Sequence, residues 1–105
     1  MDKVLGDYTL VPSERRSTEK VLEYMVGVSL QPCTIQDLEK FRFAHPEVLR
    51  ERSVVAVGTK YDVGPFCYVP YVDASCGGGG MLHLDIPGIP WPANFYFLAV
   101  KRISS

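Results

Sequence analysis

Apolar residues recur with two different periods along this chain. A period of two marks strands: residues 8–11, closed by Pro12, and then 53–61, 66–72, 81–86 and 94–102. A helical period marks one stretch. Thr34 followed three residues later by Asp37 resembles a capping box, and Ile35, Leu38 and Phe41 then fall on one face. Pro46 disfavours α geometry at His45, so this helix should stop near Ala44, with Pro46 opening a short turn anchored by Val48 and Leu49.

Residues 21–30 fit both templates. Leu22, Tyr24, Val26, Val28 and Leu30 alternate with Glu23, Met25, Gly27 and Ser29, while Val21, Leu22, Met25 and Val28 also suit a helix; β-branched content and Gly27 favour a strand. Residues 13–20 read as a polar connection or a short helical turn. The predicted fold is therefore α+β: a small antiparallel sheet or half-barrel of about five to six strands packed on one main helix.

The last strand sharpens this picture because it has no wet side. Phe95, Phe97 and Ala99 point one way, and Tyr96, Leu98 and Val100 the other, so both faces must be covered. The helix can cover one. A curled sheet, the aromatic loops or a second copy of the chain would cover the other, and a homodimer is the expected outcome.

A length of 105 residues fits one domain, residues 1–105, and 47% hydrophobic content is ample for a folded core. Net charge is about −1, which gives no basic field for nucleic acid. The longest apolar run, 95–100, is far too short to span a bilayer, so no membrane association is expected. The opening MDKVLGDYTL has neither the basic nor the apolar region of an export signal. Cys33, Cys67 and Cys76 are odd in number and show no zinc-ribbon spacing, which fits a reduced, cytoplasmic chain.

Charge is distributed unevenly. Residues 1–52 hold eight Lys/Arg and nine Asp/Glu, whereas 61–100 hold only Asp62, Asp73 and Asp85 and no base. The same stretch carries eight of the twelve aromatic residues, so it is where a working surface is expected.

Within it, Gly77–Gly80 are four successive glycines that let backbone approach a ligand, but the spacing is neither GxGxxG nor a P-loop, and an inter-strand loop is the plainer reading. His83 and Asp85 share one strand face. With Cys76 they suggest a nucleophilic triad, or with Cys67, Cys76 or Asp73 a metal site, although no local base would stabilise a thiolate. Three prolines around Trp91, the only tryptophan, make a stiff segment, and Trp91 with Tyr61, Tyr68 and Tyr71 near Asp73 or Asp85 would suit planar or cationic ligands; the plainer alternative has Trp91 closing the core. Residues 34–52 leave too short a second helix for a helix-turn-helix.

The reading that emerges is a non-catalytic module binding a small molecule or a protein, without metal or cofactor. Its expected ligand-binding residues are Trp91, Tyr68, Tyr71, His83 and Asp85, with Gly78 and Gly79 as backbone donors. The alternative is a small hydrolase or transferase using Cys76 and His83, or a metal-assisted form of it.

Overall fold

The computed structural model describes residues 1–77 and 79–103. Among these residues eight strands form one open sheet: β1 (Lys3–Leu5), β2 (Tyr8–Pro12), β3 (Leu30–Pro32), β4 (Ser53–Val55), β5 (Tyr61–Val63), β6 (Phe66–Val72), β7 (Met81–Leu84) and β8 (Phe95–Lys101). Two helices of ten residues each, α1 (Thr18–Gly27) and α2 (Ile35–Ala44), complete it. The fold is mixed α/β, with more strands than expected and two main helices rather than one.

β8 is the axis. β2 pairs antiparallel along one side of it, while β3 (antiparallel) and β4 (parallel) share the other side. β6 in turn has β4 and β5 on one side and β7 on the other. The rows therefore run β1, β2, β8, a middle row of β3, β4 and β5, then β6 and β7. The sheet is not wholly antiparallel, because β4 leaves the turn after α2 running in the same direction as β8.

The strand expected over 21–30 is instead the body of α1. Ser17 caps it by accepting the Lys20 N–H at 3.4 Å, and Thr18, Val21 and Met25 fall on its buried face. Gly27 weakened the helical reading but sits in the last turn, where few backbone bonds remain to lose; Ser29, at φ 58°, then turns the chain into β3. α2 follows the sequence closely, with the Thr34 N–H donating to Asp37 Oδ2 at 3.1 Å, and Leu49 is buried in the turn after Pro46.

Each helix covers one sheet face. On the α1 face, Val11, Val21, Met25, Val55, Val69, Phe95, Phe97 and Trp91 form one core; on the α2 face, Leu10, Cys33, Leu38, Phe41, Val54, Val72 and Leu98 form a second. Gly58 lies so close to the Cys33 carbonyl that an added Cβ would stand 2.5 Å from its oxygen, so only glycine fits. β8 is thus buried on both faces within a single chain. The bare second face that motivated a homodimer is covered by α1.

Candidate functional site

The α1 face of β7 ends at a cavity of about 220 Å³ walled by His83, Asp85, Ile86, Ile89, Pro90 and Trp91. Its geometry is set by the turn between β2 and α1, which is stitched to the proline-rich segment. Ser13 Oγ donates to the Pro92 carbonyl at 2.7 Å, Ser13 N–H to the Phe95 carbonyl at 3.0 Å, and Trp91 N–H to the Arg16 carbonyl at 3.0 Å.

The side chains continue this stitching. Trp91 Nε1 donates to Thr18 Oγ1 at 2.7 Å, and the same hydroxyl donates to Asp85 Oδ1 at 2.8 Å. One hydroxyl, placed at the first residue of α1, therefore satisfies a buried indole N–H and orients a carboxylate. Trp91 is only 4% exposed, so one side of its ring belongs to the core.

Against Trp91 lies the His83 ring, with centroids 4.6 Å apart and planes tilted by 33°. Phe95 meets His83 edge-on at 5.3 Å and Tyr71 does so at 5.8 Å. His83 Nδ1 is 2.9 Å from the Leu84 carbonyl, which can only accept, so Nδ1–H donates to it. The arrangement is a rigid, mostly apolar wall of rings with one carboxylate at its base. Ile86 and Ile89 at its rim are 48% and 54% exposed.

The chain matches no known family model, curated protein or solved structure. The chemistry of its site must be read from its own residues.

Of the residues expected to bind, the fold brings together Trp91, His83, Tyr71 and Asp85. Tyr68 does not join them: it pairs with Tyr61 and Leu84, and strand alternation turns it to the opposite face from Val69 and Tyr71. Gly79 is exposed and already donates its N–H to the Cys76 carbonyl at 3.1 Å, so it is no free donor. Gly78 lies outside the described residues.

The triad is not assembled. Cys76 packs with the α2-face core, across the sheet from His83. Its sulfur accepts the Asp73 N–H at 3.2 Å, and burial pushes its pKa up, which keeps the thiol protonated. Asp73 is held below the usual carboxylate range chiefly by the Ser75 hydroxyl, 2.6 Å away. Among the described residues, no three His, Cys, Asp or Glu side chains converge as metal ligands. No helix there is long and apolar enough to cross a membrane.

Sequence reasoning missed Thr18 and the 13–18 turn. The available signal was Ser17-Thr18 ahead of an amphipathic stretch, a helix start; that the hydroxyl at its first residue would reach Trp91, 73 positions away, is a tertiary fact.

Proposed function

We propose that this chain is a non-catalytic binding module whose cavity between β7 and residues 86–92 takes a small planar group, preferably one bearing a positive charge. The observation that carries this reading is the Trp91–Thr18–Asp85 line. It fixes an aromatic wall and a carboxylate in one preformed, apolar cavity, so little ordering is needed on binding. Thr18 engages Asp85 Oδ1, and Oδ2 is the second acceptor this carboxylate offers to a cation. The rings of Trp91 and His83 wall the cavity, which favours a flat guest. No Lys or Arg lies between residues 61 and 100, so β7 and the proline-rich segment bring no base to oppose Asp85.

Trp91 is the only tryptophan, so its emission reports on the cavity directly. Titration with benzamidine should change that emission saturably, and Asp85→Asn should weaken binding by about tenfold, the usual worth of one charge-assisted hydrogen bond. A linear, unsaturable response, or identical binding by Asp85→Asn, would refute the reading.

A further inference from the structure

β7 is an outer strand, and its backbone is open on one side. The Asp85 N–H donates to the Cys67 carbonyl at 2.8 Å, in register with the Val69–His83 and Tyr71–Met81 pairs. Antiparallel alternation then turns the backbone groups of Met81, His83 and Asp85 toward β6 and those of Leu82 and Leu84 outward. The Leu84 carbonyl is taken by the His83 ring, which leaves the N–H and C=O of Leu82 and the N–H of Leu84 facing out.

The opposite edge of the sheet is guarded. β1 has three residues, carries Lys3 on an exposed side chain and ends at the Gly6 turn. β7 has no Lys, Arg, Asp or Glu within it and leaves Leu82 52% and Met81 45% exposed. An unguarded apolar edge is a template for another strand.

Two cavities flank this edge, one on each face of the sheet. The first is the His83–Trp91 cavity already described. The second, about 130 Å³, lies on the α2 face between Ile35 and Leu38 of α2 and Pro70, Gly80 and Leu82. One is walled by β7 around Leu82 and the other around Asp85, an offset of about three residues or about 10 Å along a strand. An odd offset sends two side chains of an added strand to opposite faces, which is how these cavities are disposed.

Charge selects the occupant. Asp85 lines the first cavity and Glu39 the second, where Arg42 engages one of its oxygens, Oε2, at 3.0 Å and Oε1 faces Gly80. A second copy paired along this edge would bring another Asp85 and no Lys or Arg from residues 61–100, so nothing on its edge would neutralise the first Asp85. A cationic segment would.

We infer that the β7 edge binds an extended peptide from a partner protein, added as a further strand, with two apolar side chains three positions apart and a Lys or Arg at each end. This rests on the reading of the His83–Trp91 cavity as a binding site, since one apolar side chain enters it. Main-chain bonds along Leu82 and Leu84 would provide affinity, and the two cavities would provide selection.

The test uses a fluorescently labelled peptide with phenylalanines three positions apart, threonines between and beside them, and a lysine at each end. Binding is followed by anisotropy. Leu82→Pro removes an outward N–H that β6 does not use, so the sheet should persist while peptide affinity falls by about tenfold or more and benzamidine affinity is unchanged. Should that variant fail to fold, the same peptide N-methylated at alternate backbone positions, tested on the unaltered protein, should lose affinity to the same degree. Equal binding by the methylated peptide, or no binding of the parent peptide while benzamidine still saturates Trp91, overturns the edge inference and leaves the cavity reading intact. Failure of both probes overturns both. Self-association in sedimentation that Leu82→Pro abolishes would assign the edge to a second copy and overturn the peptide.

Discussion

The two halves of the sheet are built from equally apolar strands, yet only one half is covered. At the centre, β2, β8 and β4 lie between α1 and α2, and Leu10, Val54, Val55, Phe97 and Leu98 are fully buried. At the far end, Val63, Phe66 and Leu82 of β5, β6 and β7 are 61%, 52% and 52% exposed. The difference is one of reach. Six strand rows span about 24 Å, whereas a ten-residue helix is about 15 Å long and 10 Å wide, enough for two or three rows. Apolar composition therefore states which strands need cover, and helix length decides which of them receive it inside the chain. The far end is closed only where α2 reaches Val72 of β6 and where Trp91 and its prolines meet the α1 face.

If this contrast is sound, the largest stability effects belong to the covered half. Phe97→Ala should cost about 3–5 kcal/mol in urea unfolding, because the ring is fully buried and the surrounding sheet cannot collapse onto the gap. Thr18→Val should cost about 1–3 kcal/mol, since it strands the buried Trp91 N–H and removes the donor from Asp85. It should also weaken benzamidine binding, which couples the covered half to the cavity.

A smaller effect follows from Cys33, in the α2-face core, whose thiol burial pushes up to about 12 from a usual 9.0. Below pH 9 the thiol is protonated in both folded and unfolded chains. Above it the unfolded chain releases a proton that the folded one keeps, so stability is lost as pH rises toward 12, by about 1 kcal/mol near pH 10. Cys33→Ala should flatten that alkaline slope relative to the parent in paired thermal melts; parallel slopes would mean that Cys33 is not shielded. The smallest change is expected at the uncovered end, where Phe66→Ser should move stability by no more than about 0.5 kcal/mol. A loss comparable to that of Phe97→Ala would show that this end is buried in solution and would erase the contrast.

Much of the fold was legible in the sequence. Strand periodicity placed β6 over its full length and β8 to within a residue of each end, and the Thr34–Asp37 pair located α2. The two-faced apolar pattern of β8 required a second cover. Its identity was hidden because residues 21–30 satisfy a period of two and a helical period equally, and the Ser17 cap lacks an acidic partner at Lys20. At the site, the strand spacing of His83 and Asp85 and the proline-flanked Trp91 were visible. The misplacement of Tyr68 arose from grouping aromatic residues by proximity in sequence, although Tyr68 and Tyr71 differ by an odd number and face opposite ways. Thr18 left only the mark of a helix start, because its role exists only once α1 is folded beside the proline-rich segment.

The most direct measurement is a residue-resolved amide NMR titration of the unaltered protein with the lysine-flanked peptide. Shifts should concentrate at β7, residues 85–92 and the first turn of α2, leaving β1 and the polar cavity around Arg50, Ser53 and Ser75 unmoved. Perturbations centred on β1 or on that polar cavity, with β7 silent, would contradict the account.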